Sequence, residues 1–152
     1  MADAVGDRPF LGRGWSFPPT FDPILPGVQM LEQEADIASS LHVLLTTAQG
    51  ERVMVPQYGC NMDELVFENL DTRMKTLMAD KIESAILYHE SRIDLESVRL
   101  DDRDGLDGVV LIGIVYRVRA TNSRFNFVFP FYKQEGTDIN LTTTVRLLPD
   151  DR

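Results

Sequence analysis

Hydrophobic positions along this chain change their period at one place. Before residue 90 they recur every three or four positions, and from residue 93 they alternate. In the first half, Ile37, Leu41, Leu44 and Leu45 keep the i, i+4, i+7, i+8 spacing of a helix with one buried stripe, which predicts a helix over 31–48. Glu32, Glu34 and Asp36 crowd its first turns, where the helix dipole favours negative charge. Gly50 follows as the expected left-handed cap. Arg52 to Val55 reads as a short strand stopped by Pro56, and a turn then leads into a short helix over about 62–67. Asp71 is a good N-cap for the longest helix, whose stripe is Met74, Met78, Ile82, Ala85, Ile86 and His89. Methionine at helical spacing is ordinary core filling.

Beyond "YHESRI" the period is that of strands. Ile93 to Leu100, Val109 to Ala120 and Arg124 to Tyr132 form three strands, with Phe125, Phe127, Phe129 and Phe131 on one face of the third. The acidic stretch "DDRDGLDG" between the first two is a turn region. Leu141, Thr143, Val145 and Leu147 alternate again, as a possible fourth strand or a frayed, self-paired end. Helices first and an antiparallel sheet afterwards predict an α+β domain.

Residues 1–29 follow neither period. They hold five of the eight prolines together with Phe10, Trp15, Phe17 and Phe21. Proline excludes helix, while so many aromatics are foreign to a disordered linker. The stretch reads as an extended arm that docks through its aromatics, either on its own domain or on a neighbour. The resulting division is an arm over 1–29, a domain over 30–138 and a tail over 139–152.

Charge narrows the function classes. With 24 acidic against 15 basic residues, the net charge is -9. Such a chain is unsuited to a nucleic-acid backbone or an anionic membrane surface. Cys60 stands alone, so no intrachain disulfide is available. The first ten residues lack the apolar core of a signal peptide, and cytoplasmic synthesis is expected.

Candidate chemistry is thin. His42, Cys60 and His89 have no metal-ligand spacing. Setting Gly105 at the sixth position of a calcium loop puts Leu100 and Leu111 where oxygen ligands are required. No phosphate-binding or nucleophile-elbow motif is present. The best single carboxylate is Glu90, but Arg92, two places on, favours its ionised form, and a general acid must keep a proton. No catalytic residue, metal or cofactor is therefore assigned. At a helix-to-strand corner, Glu90 and Arg92 could be a solvated ion pair, a catalytic remnant or a charged contact projecting toward a partner.

The segments "FLGRGWSFPPTF", "LLTTAQGERVMVPQYGCNMDELVFE", "YHESRI", "IVYRVRATNSRFNFVFPFY" and "EGT" resemble, in order, the baseplate-wedge family of contractile tails, known as "gene-25-like lysozyme". Phage baseplate subunits, the type VI secretion protein TssE and parts of extracellular injection particles belong to it. The resemblance covers roughly residues 10 to 137. It implies a fold like the inner domain of contractile sheath subunits and a non-enzymatic structural role, with the lysozyme label inherited from history. The family's Glu-Pro-Arg triplet stands here as Glu90-Ser91-Arg92, so Ser91 replaces the stiffer proline. The implied partners are the larger wedge proteins, met through Glu90 and Arg92, and the sheath subunit, in a sixfold assembly. Trp15 and Phe17 are the arm's candidate partner-binding residues. A peptidoglycan-cleaving lysozyme and a regulatory anti-adaptor, which shares the fold, are the alternative readings.

Overall fold

A computed structural model describes residues 12–21, 23–24, 26–62, 71–101, 109–132 and 145–147 of the chain. Among these, the order is β1 (Arg13–Trp15), β2 (Met30–Glu32), α1 (Gln33–Thr46), α2 (Thr72–His89), β3 (Ile93–Asp101), β4 (Val109–Val118), β5 (Ser123–Tyr132) and β6 (Val145–Leu147). β1 and β2 make a two-stranded antiparallel ribbon, and β3-β4-β5-β6 is an antiparallel sheet in that spatial order. The α+β reading holds: two helices lie on one face of a four-stranded sheet.

The alternation in β4 and β5 decides which face they cover. Val110, Ile112, Ile114, Tyr116 and Val118 turn inward from β4, and Phe125, Phe127, Phe129 and Phe131 from β5. They join Ile37, Leu41, Leu44 and Leu45 of α1 and Met78, Ile82, Ala85 and Ile86 of α2 in one core. The spacing-based stripe of α1 is therefore buried, and that of α2 is buried at Met78, Ile82, Ala85 and Ile86, with Met74 and His89 at its ends only partly covered. Fully burying each large side chain is worth about 1.5–3 kcal/mol, which is why the pattern commits the elements to these faces. Asp71 caps α2 as its sequence suggests, accepting the Met74 N–H at 2.7 Å.

Three local expectations change. Arg52–Val55 is a bend within a loop, with no strand to pair with among the described residues. Gly50 does take a positive φ of 88°, but α1 has already ended. Thr47, in extended conformation, is its C-cap, and Gly50 serves the loop. The tail contributes Val145–Leu147, which pairs with Phe125–Phe127 of β5; Leu141 and Thr143 lie outside the described residues. So do most of the expected 62–67 helix and most of the acidic turn after β3.

Candidate partner-binding corner

α2 stops at Glu90, whose backbone leaves the helical region (φ -126°, ψ 81°) while its N–H still donates to the Ile86 carbonyl at 2.8 Å. Two residues later the chain is β3. This short corner fixes where the charged pair goes, and it goes inward. Glu90 retains only 6 % of its surface and Arg92 26 % of its side chain. Two of the three readings left open by the sequence, a solvated ion pair and a contact projecting toward a partner, have the pair pointing outward. It turns in because α1 supplies a second acid beneath it.

Arg92 is the hub. Its Nε donates to Glu90 Oε1 at 2.7 Å and its Nη2 to Glu90 Oε2 at 2.6 Å, a two-pronged grip. Nη1 donates to Asp36 Oδ2 at 2.6 Å, and Nη2 also reaches the Ser40 hydroxyl at 3.0 Å. The fork of a guanidinium matches a carboxylate in this geometry, which an ammonium cannot reproduce. The bonds to Glu90 do most to raise the guanidinium's pKa; burial opposes the rise and Asp36 adds to it. Arg92 is a fixed cation between two nearly buried anions.

The arm closes over the same group. A Cβ on Gly14 would collide with the Asp36 carboxylate, and one on Gly12 would lie 3.2 Å from Arg92 Nη1. Only glycine lets the backbone pass so close. Below, the buried Tyr116 hydroxyl has no hydrogen-bond partner among the described residues. Burial first, then the negative charges of Glu34 and Glu90, push its pKa up to about 12. Four separate stretches of chain thus meet at Arg92: the arm, α1, the corner and β4.

Beside the triad is a cleft of about 300 Å³ lined by Ser40, Leu44, Tyr58, His89 and Ser91 along with the triad's own edge. The His89 ring lies 5.1 Å from the Tyr58 ring, and its Nε2 is 3.0 Å from the Gln57 carbonyl. The other sequence candidates sit apart from this cleft. Trp15, on β1, is 65 % exposed. Phe17 is half exposed, with its ring 6.0 Å from that of His42, which in turn lies 5.6 Å from Phe129. Desolvation lowers the His42 pKa. Cys60 is buried and its thiol is pushed up to about 11, so it is a poor nucleophile. Among the described residues no group of three His, Cys, Asp or Glu side chains gathers as metal ligands would.

Sequence reasoning missed Asp36, Ser40 and Tyr116. Asp36 had a signal: it directly precedes Ile37 at the start of the apolar stripe, one turn before Ser40, so a polar line runs alongside the buried one.

Comparison with known proteins identifies relatives of the whole domain. The family described as baseplate wedge protein gp25 matches residues 31–123. The baseplate wedge protein gp25 of Enterobacteria phage T4 is 34 % identical over 64 residues, which is 42 % of this chain and 48 % of that protein. The match thus spans about half the length of that curated relative. A crystal structure from Geobacter sulfurreducens, of a protein given the name tail lysozyme, is 44 % identical, covers 70 % of this chain and 97 % of its own, and superposes with a TM-score of 0.64. A chain in the cryo-EM structure of the anti-feeding prophage (AFP) baseplate, 6-fold symmetrised, is 27 % identical, covers 84 % of this chain and 90 % of its own, and has a TM-score of 0.59.

Proposed function

The chain belongs to the baseplate wedge protein gp25 family, and from that premise we propose that it is a structural, non-enzymatic subunit of the baseplate of a contractile injection apparatus. It joins the larger wedge proteins to the first sheath ring. After synthesis in the cytoplasm it enters a sixfold plate, as in the AFP particle to which its fold is similar.

One observation carries the non-enzymatic part: Arg92 bridges Asp36 and Glu90. A glycosidase keeps two carboxyl groups facing each other with substrate or water between them, one still able to give up a proton. Here a guanidinium stands in that space and occupies both carboxyl groups with its own N–H donors. This arrangement suits a scaffold. It fixes the arm, α1 and the corner relative to one another, and it presents the exposed quarter of Arg92 at the rim of the adjoining cleft. Glu90 sets the orientation of Arg92, and Arg92 meets the wedge partner. Trp15 and Phe17 offer the arm's exposed aromatic surface to a neighbouring subunit. Recruitment of the sheath uses the open edge of the four-stranded sheet, where main-chain bonds supply affinity and alternate side chains supply register.

The deciding experiment has two arms. Purified chain is run in a gel containing peptidoglycan, and tagged chain is co-expressed with the wedge proteins of its own particle. The expected result is an uncleared gel and a co-purifying wedge complex. Cleared peptidoglycan would overturn the non-enzymatic role, and a chain recovered alone would overturn the wedge role.

A further inference from the structure

The helices α1 and α2 cover one face of the four-stranded sheet, and the other face is open. An antiparallel sheet with a solvated face usually alternates, polar outward for each apolar residue inward. One end of the β4–β5 pair does so, with Arg117, Arg124 and Asn126 turned outward. Along the rest, the outward positions are Val109, Leu111, Gly113 and Val115 on β4 and Val128, Pro130 and Tyr132 on β5. Val109 to Val115 therefore contains no polar residue, which is the pattern of a strand covered on both sides. Leu111 and Tyr132 are nonetheless 41 % and 44 % exposed. Gly113 lies at the centre of this strip, between Arg99 on β3 and Val128 on β5. It takes no left-handed φ, and a Cβ there would meet nothing nearer than the Arg99 carbonyl oxygen at 3.8 Å, an ordinary contact. Glycine weakens a strand interior, and nothing among the described residues requires it here. Such a glycine marks a place where another chain comes close.

The frame of the strip is arginine, although the chain has a net charge of -9. Arg117, Arg119 and Arg124 stand at one end, each about half exposed, and two carboxylates hold all three: Glu96 takes Arg117 at 2.7 Å and Arg124 at 2.6 Å, and Asp94 takes Arg119 at 2.7 Å. Arg99 flanks Gly113, exposed, and pairs with no acid among the described residues. Asp101 is the remaining acid of β3, at the opposite end beside Leu111. These features select an occupant. Two strands at about 4.8 Å spacing make a strip roughly 10 Å wide, the breadth of one α-helix, and helices cover sheet faces where strands join edges. Val109 to Val115 runs about 20 Å, enough for about thirteen residues of helix. Guanidinium groups at its border call for carboxylates. We infer that the outer face of β4 and β5 docks a helix of another baseplate protein, which lays an apolar stripe over Gly113 and turns Asp or Glu toward Arg99 and the Arg117–Arg119–Arg124 group. A second copy of this chain does not supply that helix from its described residues. The apolar stripes of α1 and α2 are spent in their own core, and Leu77 and Leu87, on the exposed side of α2, are separated by Asp80 and Ser84. The inference rests on the baseplate reading and names a face of this chain distinct from Glu90 and Arg92.

The test uses the full chain assembled with the other baseplate proteins of its particle. A photo-crosslinking amino acid in place of Val128 should join another baseplate protein, and sequencing of the joined peptide should show apolar residues at helical spacing with Asp or Glu among them. An adduct with a second copy, one with a segment lacking acids, or no adduct overturns the inference. Gly113→Val should leave the lone chain unfolding at the parent's temperature or above it, because β-branched residues suit strands, and should enter baseplates about tenfold less well. A lowered unfolding temperature would mean that the chain's own fold needs the glycine, and overturns the inference. Arg99→Glu should also reduce entry, and exchanging the facing acid of the joined segment for Lys should restore it; failure to restore overturns the charge pairing. Equal entry of Gly113→Val and parent overturns the inference while leaving the baseplate reading intact. If the parent itself enters no baseplate, that reading falls and the docked helix with it.

Discussion

Arg92 holds Glu90 by both carboxylate oxygens, at 2.7 and 2.6 Å, across a corner only one residue long. The acid is nearly buried, so the pair is worth more as architecture than its sequence spacing suggests. Removing one member of a buried pair leaves the other charge uncompensated, at a cost of about 3–5 kcal/mol. Glu90→Gln keeps the shape and removes the charge. It should lower stability toward the small end of that range, because Arg92 keeps Asp36 and some solvent. Asp94→Asn breaks a pair of similar length with Arg119, but both side chains are more than half exposed, and the expected loss is about 0–1 kcal/mol. Urea unfolding of the two variants makes the comparison; equal losses would show that the corner's burial has no energetic weight.

Gly14→Ala places a methyl group on the Asp36 carboxylate. Either the arm lifts off or Asp36 swings away from Arg92. Overpacking of this kind costs about 1–3 kcal/mol. Gly27→Ala, with no atom within 4 Å of the new carbon, is the control and should be near neutral. Hydrogen exchange reads the difference: faster exchange in β1 and β2 is expected in Gly14→Ala alone.

Alkaline pH tests the core. Burial raises the Cys60 thiol from 9.0 to about 11, and burial with nearby negative charge raises the Tyr116 phenol from 10.0 to about 12. Between those limits the unfolded chain has lost a proton that the folded chain keeps. Stability is therefore complete below pH 9 and falls through pH 9 to 11 for Cys60 and pH 10 to 12 for Tyr116. The slope is about 1.4 kcal/mol per pH unit for each proton. Cys60→Ala should remove the first part of the decline. Tyrosinate absorbance should show Tyr116 ionising only as the fold is lost; earlier ionisation of all four tyrosines in a folded chain would contradict its burial.

How legible this was depends on the distance each feature spans. The stripes Ile37–Leu41–Leu44 and Met78–Ile82–Ile86, the Asp71 cap and the phenylalanine alternation in β5 are local, and local spacing reveals them. Arg52–Val55 has the β-branched composition of a strand. A strand needs a partner, however, and the bonds from Gly50 to Pro56 and from Tyr58 to Val55 bend the segment instead. Asp36 and Arg92 lie 56 residues apart. Nothing short-range announces that they meet, so Asp36 reads as a dipole partner and Glu90 as a surface charge.

The arm separates backbone from side chain. Its strand pairs with β2, yet Trp15 stays largely in solvent. Trp15→Ala should therefore change the stability of the isolated chain by less than about 0.5 kcal/mol, the usual range for a surface site, while weakening its recovery with neighbouring baseplate subunits. A drop of many degrees in the unfolding temperature of the lone chain would instead assign Trp15 to its own fold. Phe17, against His42, should show a larger intrinsic loss than Trp15.

The two edges of the sheet differ, and under the proposal that sheath strands add to this sheet the difference selects the edge they would join. β3 is guarded. Asp94 pairs with Arg119, Glu96 takes both Arg117 and Arg124, and the register slips between Leu95 and Ser97 as a bulge. Charges and bulges are the usual means of keeping a foreign strand away. At the other edge, among the described residues, β6 pairs Val145–Leu147 with β5. Strand addition is therefore expected at β6. Successive N–H groups along a strand point to opposite sides. Of Val145→Pro and Arg146→Pro, one removes a donor facing β5 and the other a donor facing the open edge. The first should detach β6; the second should leave the isolated chain as stable as the parent and still give baseplates bare of sheath. Electron microscopy of particles carrying each change is the measurement, and sheath of normal length on both would rule out strand addition at this edge.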